Sequence, residues 1–341
     1  MVDVARGRAE SALFRAVYFL DRDQAPSGKV RAFRHAIDVV RELDDLELVR
    51  LVDQGAITEL AGIGPSTGSV ISAAVRGERN AYLDELDAKT TIDPGEGGAL
   101  RPAIRGDLHS HTTWSDGGAD LATMARTARE LGHDYLAVTD HSARLTVAHG
   151  LDEARLRQQL AIIEVLNREL APFRILTGME VDIFEDGALD LDEVLLAELD
   201  VVVASVHSTL RMPEAEMTRR MAVAAAHPHV DILGHCTGRL LVGRGRPPST
   251  FNAPKVFEAC AQFDTAVEIN CRPERQDPPD DLLEIALERG CRVAIDTDAH
   301  APGQLEWQAY GCDKAARHGI PEDTILNTWT VDELLSLTRV A

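Results

Sequence analysis

The sequence predicts an α/β protein: a barrel of strand–helix repeats behind a small all-α domain. Three observations carry this. From residue 103 onward, seven short apolar runs rich in β-branched residues alternate with stretches of helical periodicity. Residues 8–90 instead carry apolar residues at helical spacing. Between them, Ile92-Asp-Pro-Gly-Glu-Gly-Gly-Ala-Leu-Arg-Pro102 is polar and rich in glycine and proline, the composition of a linker. The expected layout is 1–91 helical, 92–102 linker and 103–341 barrel. Alternation alone also fits an open doubly wound sheet, which stands as the alternative at this point.

In order, helices are expected over Ala9–Leu20, Val30–Leu43 and, as a short one, Leu46–Val52. A glycine-rich turn follows within Leu60-Ala-Gly-Ile-Gly-Pro-Ser-Thr-Gly-Ser-Val-Ile71. Strands are expected at 103–108, 134–139, 174–181, 201–206, 231–235, 266–270 and 292–297. Helices fall between them, at 119–132, 152–171, 191–198, 213–226, 253–263 and 280–290. Two more are expected near 303–318 and 331–339.

Composition narrows the class. Hydrophobic residues make up 45% of 341, ample for a core. The formal charge of −21 argues against a broad basic surface gripping nucleic acid nonspecifically. It does not exclude a phosphate substrate at a cationic spot. The start has no apolar signal-like segment, and no run reaches the ~18 apolar residues of a membrane span. A cytoplasmic protein with no membrane partner is expected; nothing in the sequence sets its oligomeric state. The five cysteines include no C-x-x-C pair, so reduced, buried thiols are expected.

The chemistry sits at the ends of the apolar runs. Asp-Leu-His-Ser-His occupies 107–111 with Asp116 following. Then come Thr-Asp-His at 139–141, Gly-Met-Glu at 178–180, Ser-Val-His at 205–207, Gly-His at 234–235 and Asp-Ala-His at 298–300. Each group alone has a bland reading: a core histidine, a turn aspartate, an ion pair. Together they are different. Parallel strands that end in imidazoles and carboxylates at one rim must offset lost solvation, and metal coordination does so. Nitrogen and oxygen donors without thiolate suit zinc, manganese or iron.

On these residues the chain resembles the polymerase and histidinol phosphatase (PHP) superfamily of metal-dependent phosphoesterases. His109, His111, Asp116, His141, Glu180, His207, His235, Asp298 and His300 match its nine ligand positions in order and context. The resemblance covers residues 103 to about 320. It implies a distorted (β/α)7 barrel with three divalent ions. One would take His109, His111, Glu180 and Asp298; a second Glu180, His207 and His235; the third Asp116, His141 and His300. The implied nucleophile is a metal-bridged hydroxide held by His109, His111, Glu180 and Asp298. Arg144, Arg239, Arg272 and Arg275, on loops after strands, are the candidates for holding a substrate phosphate. Asp140 is expected to orient ligand histidines, and Asp107 and Asp296 to be structural.

Gly62-Ile63-Gly64 resembles a helix-hairpin-helix turn, whose backbone N–H groups meet a nucleic-acid phosphate. With Lys29-Val-Arg-Ala-Phe-Arg-His-Ala36 before it, the segment resembles the small N-terminal domain of family X DNA polymerases. Bacterial members of that family carry a PHP domain. Gly-His-Cys-Thr-Gly-Arg-Leu-Leu at 234–241 and Glu-Ile-Asn-Cys-Arg-Pro-Glu-Arg at 268–275 are also similar to theirs. The departures are informative. The short linker leaves no room for a polymerase palm. Val70 stands where lyase members carry a Schiff-base lysine, so lyase activity is not expected. Residues 1–99 hold 12 Lys/Arg against 17 Asp/Glu.

The expected function is a metal-dependent phosphoesterase acting on nucleic-acid ends, as 3′-5′ exonuclease, 3′-phosphatase or both. The alternatives are a small-molecule phosphatase of the histidinol-phosphate type and a noncatalytic DNA-recruiting platform.

Overall fold

The computed structural model describes residues 4–338. The chain divides into two compact units, Met1–Ile92 and Asp93–Ala341. The first holds α1 (Ala5–Arg22), α2 (Ser27–Arg41), α3 (Asp45–Asp53), α4 (Pro65–Arg76) and α5 (Ala81–Thr90). Three of the starts are written in the sequence. The Asp44 carboxylate accepts from Glu47 N–H, the Asn80 side chain accepts from Leu83 N–H, and Pro65 opens α4. Leu13, Leu20, Phe33, Leu48 and Ile71 form the core around α1. Val70 is fully buried there, so the residue at the lyase position is packing. Buried Arg22 at the end of α1 donates to Asp87 Oδ1 at 2.8 Å and to Thr90 Oγ1.

The second unit is a seven-stranded, all-parallel sheet in sequential order. Its strands are β1 (Gly106–Asp107), β2 (Tyr135–Val138), β3 (Arg174–Asp182), β4 (Val201–Ser205), β5 (Ile232–Leu233), β6 (Ala266–Asn270) and β7 (Val293–Asp296). The sheet curls into a nearly closed barrel, which removes the open-sheet alternative. Beyond the strand ends, Ser110 bridges Ala299 and joins the first strand to the last. Lower down, where the β1 and β7 backbones do not pair, two side-chain amides fill the gap. Gln308 Nε2 and Asn327 Nδ2 each donate to the carbonyls of both Gly106 and Ile295. The distortion of the barrel is this seam: amides stand in for a missing ladder.

Helices α6 (Leu121–Glu130), α7 (Glu153–Leu170), α8 (Glu193–Leu196), α9 (Glu214–Ala225), α10 (Ala253–Gln262) and α11 (Asp280–Glu288) alternate with the strands. After β7 come α12 (Gln308–Arg317) and α13 (Val331–Thr338); residue 339 of the expected last helix lies outside the described residues. Inside the barrel, Leu108, Ala137, Leu176, Val203, Ile232 and Ala294 pack with Leu326 and Leu334. The segment after α12 therefore contributes to the barrel's core.

Two expected strands are shorter than the sequence suggested. β1 and β5 have two residues each, because side chains take over the ladder toward the rim. Leu108 N–H goes to Asp296 Oδ1 and Ser110 N–H to Thr139 Oγ1, while His235 N–H goes to Glu268 Oε2. The glycine-rich stretch after residue 92 is ordered in short turns within this unit. Glu96 N–H donates to Asp313 Oδ1 at 2.8 Å, and a Cβ on Gly97 would sit 2.3 Å from Asp313 N. Glycine there permits close backbone approach to α12. All five cysteines are buried and free, and burial pushes the thiols of Cys291 and Cys312 up to about 12. No helix among the described residues is long and apolar enough to cross a membrane.

Candidate metal centre

The nine sequence-predicted ligands come together at the C-terminal rim of the strands, centred on Glu180 near the end of β3. Its Oε1 lies 2.8 Å from His235 Nε2 and 3.2 Å from His207 Nε2. Its Oε2 lies 2.8 Å from His141 Nδ1, 3.4 Å from His109 Nε2 and 3.6 Å from His111 Nε2. Asp298 Oδ1 approaches His111 Nε2 at 3.3 Å and His300 Nδ1 at 3.5 Å. Asp116 Oδ1 faces His300 Nε2 at 3.3 Å and His141 Nε2 at 3.6 Å. Three overlapping groups can each hold an ion: His111, Asp116, His141 and His300; His109, His111 and Glu180; His141, Glu180 and His207.

Many of the donors are left without a hydrogen bond, as metal ligands are. His109 Nε2, both ring nitrogens of His111, His141 Nδ1, His207 Nδ1, His235 Nδ1 and Glu180 Oε2 are buried with no hydrogen-bond partner. Orphaned polar atoms at this density cost folding energy unless a ligand binds them. Asp298 also holds a left-handed backbone, φ 51°, uncommon for a residue other than glycine.

Electrostatics agree. Burial raises the pKa of Glu180, but His207, His109 and His141 outweigh it and hold the carboxyl well below its usual range. Burial likewise works against Asp116, and His300, His111 and His141 keep it ionised. For His207 burial lowers the pKa, yet Glu180 and Asp182 lift it to about 9. Divalent ions would replace those protons as the positive partners. The centre is open on one side. Asp116, His300 and His207 keep 35%, 20% and 12% of their side chains exposed, against none for His109, His111 and Glu180.

The four arginines differ. Arg239 is committed to backbone carbonyls, Arg275 O at 2.9 Å and Gln276 O. Arg272 donates to Asp298 O and Glu274 and meets His300 Nδ1, so it braces the centre. Arg144 pairs with Asp182 at 3.0 Å and lies over the Phe184 ring. Arg275 lies 3.4 Å from Asp298 Oδ2, and its buried Nε and Nη1 make no hydrogen bond. Of the four, Arg275 has donors to give at the centre.

Asp140 corrects the sequence reading. It takes Thr112 N–H and Oγ1, Ser115 Oγ and Gln159 Nε2 at 2.5–2.8 Å, and these bonds go to no imidazole. It braces the loop between His111 and Asp116. Asp107 and Asp296 are structural as expected, accepting from Thr297 Oγ1 and from Leu108 N–H and Asn327.

The histidine-orienting carboxylate that the sequence reading missed is Glu268 on β6. Its Oε1 lies 2.6 Å from His109 Nδ1, and its Oε2 accepts His235 N–H at 2.5 Å. A proton shared on Nδ1 leaves the His109 Nε2 lone pair facing the centre. Asn270, two residues on and on the same face, donates to both Glu268 and Asp298. The available signal was a charged residue inside the apolar run Ala-Val-Glu-Ile-Asn.

The PHP domain model matches residues 107–272. Over 231 residues, 68% of this chain, the sequence is 40% identical to the DNA polymerase/3′-5′ exonuclease PolX of Bacillus subtilis (strain 168); the chain spans 40% of that protein's length. It is 31% identical over 238 residues to a probable phosphatase of Thermoanaerobacter sp. (strain X514), covering 65% of this chain and 89% of the relative. Among solved structures, histidinol phosphate phosphatase from Lactococcus lactis, complexed with zinc, L-histidinol and phosphate, is similar at TM-score 0.43 and 18% identity, over 62% of this chain and 94% of that one. The chain therefore belongs to the PHP domain family and is a metal-dependent phosphoesterase.

Proposed function

We propose that this phosphoesterase acts on nucleic-acid ends, as a 3′-5′ exonuclease, a 3′-phosphatase or both. The observation that carries the reading is the 40% identity to a protein named as polymerase and 3′-5′ exonuclease, in a chain that also has the Gly62-Ile63-Gly64 turn. The layout proposed is a helix-hairpin-helix domain over 1–91 and a phosphoesterase domain over 103–341.

Three divalent ions, zinc, manganese or iron, would be held by His109, His111, Glu180 and Asp298, by Glu180, His207 and His235, and by Asp116, His141 and His300. Bound there, they would activate water near neutral pH and offset phosphoryl charge. The chain's own residues do the rest. Glu180 and Asp298 stay ionised because imidazoles and, for Asp298, Arg272 outweigh their burial. Arg275, ion-paired with Asp298, has buried Nε and Nη1 groups without a hydrogen bond, which a phosphate oxygen can accept. The phosphate enters from the exposed Asp116–His300–His207 side.

A small-molecule phosphatase of the histidinol-phosphate type is the second reading, favoured by the −21 charge. The purified protein, assayed with manganese on 3′-phosphorylated DNA, unmodified single strands and histidinol phosphate, separates the two. Turnover of the first or second supports the proposal; turnover of histidinol phosphate alone replaces it with the second reading.

A further inference from the structure

Beside the metal centre lies a cavity of about 670 Å³. This is within the roughly 300–1,000 Å³ of small-molecule sites. Its lining comes from residues 209–212 of the loop after β4, two residues past His207, and from residues 246–250 of the loop after β5, which begins with Gly234 and His235. Its walls include Leu210, Met212, Pro247 and Pro248, with Arg211 and Arg246 among them. Both loops are at the C-terminal rim, where barrel enzymes bind substrate.

The cavity is built into the fold. Ser249 ties the loops together, its N–H donating to Thr237 O at 2.8 Å and its Oγ to Leu210 O at 2.9 Å. Arg246 Nε donates to Gly238 O at 2.6 Å, which fixes the guanidinium against the second loop. A Cβ on Gly238 would lie 2.9 Å from Leu210 Cδ2, so the loops touch. The charge is unspent. Among the described residues neither Arg211 nor Arg246 pairs with a carboxylate, although acidic residues outnumber basic ones 56 to 35 in the chain. Thr209 Oγ1, on the cavity wall, donates to Glu185 Oε1 at 2.7 Å.

An apolar lining of prolines, leucine and methionine suits a flat ring. Two guanidiniums that form no close carboxylate ion pair suit phosphate. We propose that this cavity holds the nucleotide next to the scissile phosphate, its base against Leu210, Met212 and the prolines, its backbone phosphate on Arg211 and Arg246. The proposal rests on the nucleic-acid reading and names the subsite that makes the centre prefer a polynucleotide over a small ester.

The test compares a 3′-phosphorylated oligonucleotide with a small chromogenic phosphomonoester in the full chain. Arg211 is exposed and unpaired, so Arg211→Glu should fold; its melting curve checks that. The expected result is a fall of about tenfold or more in the ratio of kcat/KM for oligonucleotide to that for the ester, through KM. The slope of log KM against log salt should shrink by about one unit. An abasic residue next to the terminal nucleotide should also raise KM in the wild type. If wild type cleaves the oligonucleotide but neither the variant nor the abasic substrate changes KM, the cavity is not the subsite and the nucleic-acid reading stands. If wild type hydrolyses the ester alone, both fall together.

Discussion

The helical unit and the barrel rim bury polar groups in opposite ways. In residues 4–92 the buried charges have partners: Arg22 meets Asp87 and Thr90, and Asp21 meets Arg34 at 3.3 Å. At the rim, imidazole after imidazole is buried with a free nitrogen. In the first arrangement the buried charges are paired on folding. The second is left incomplete by folding, and what completes it is a ligand. The contrast identifies where stability has been spent on function.

The largest expected effect tests that contrast directly. Replacing His109 and His111 together by alanine should drop hydrolysis to background while the protein stays folded, since the rim ligands lie outside the apolar barrel core. Divalent ions should raise the melting temperature of wild type more than that of the double variant, which keeps the ligands of the other two ions. Near-normal turnover in that variant would mean that the centre lies elsewhere.

A buried imidazole away from the centre sharpens the point through pH. His133 accepts from Arg101 at 3.1 Å, and burial together with that guanidinium depresses its pKa to about 3. The folded state thus favours the neutral ring. Its contribution is fully present above the unfolded value of about 6.5 and is lost as pH falls from there toward 3, roughly 3 kcal/mol of it by pH 4. Urea unfolding of wild type and His133→Gln across pH 7 to 4 reads this. The variant's stability should fall less steeply, by about one proton; equal slopes would show that His133 is not a buried neutral group.

Third is Glu268→Gln, which keeps the shape but removes the charge beside His109 Nδ1. Metal affinity, measured by titration of the metal-free protein, should weaken about 10–100-fold, and activity with it. Unchanged affinity would assign Glu268 to the ladder alone, through His235 N–H.

Glu268 also shows what the sequence hides. The nine candidate ligands were legible because most of their groups end an apolar run, and a polar residue at a strand end stands out. Glu268 lies inside its run, where period-two alternation makes an inward charge look like an ordinary outward one. Asp140 was misread for the related reason that it adjoins His141, whereas alternation turns it toward the 112–115 loop. The shortness of β1 and β5 was invisible, because what ends them is side-chain acceptors from distant segments: Asp296, Thr139 and Glu268. The Gly97 turn read as linker because glycine composition does not distinguish flexibility from close packing. By contrast β6 is Ala266–Asn270 as expected, since its apolar run is bounded at both ends by polar residues.

The next effect is smaller. Arg275 has donors without hydrogen bonds, whereas Arg239 commits Nε and Nη2 to backbone carbonyls. Arg275→Ala should therefore cost about 1.5–2 kcal/mol of transition-state binding, roughly ten- to thirtyfold in kcat/KM, on oligonucleotide and small ester alike. Loss on the oligonucleotide alone would place Arg275 outside the reacting phosphate.

The smallest expected effect returns to the helical unit and asks whether its turn binds anything. Gly62 cannot answer this, because it has φ 90° and a Cβ there would meet His35 Nε2 at 2.3 Å, so any substitution disturbs the fold. Ile63 is core, 5% exposed. Gly64 can answer. Its φ of −93° and ψ of 178° suit any residue before a proline, its Cβ would meet nothing within 4 Å, and it caps α4. A valine there adds bulk only on the outside, over the helix N-terminus where a phosphate would approach. Losing one such contact is worth about 1 kcal/mol, roughly fivefold. Gly64→Val should raise KM for an oligonucleotide by that factor and leave its kcat, and both constants for a small ester, at wild-type values, because only a long substrate can extend beyond the metal centre to a second contact. Equal KM for variant and wild type on oligonucleotides of increasing length would leave the helical unit a structural module, with every nucleic-acid contact made by the barrel.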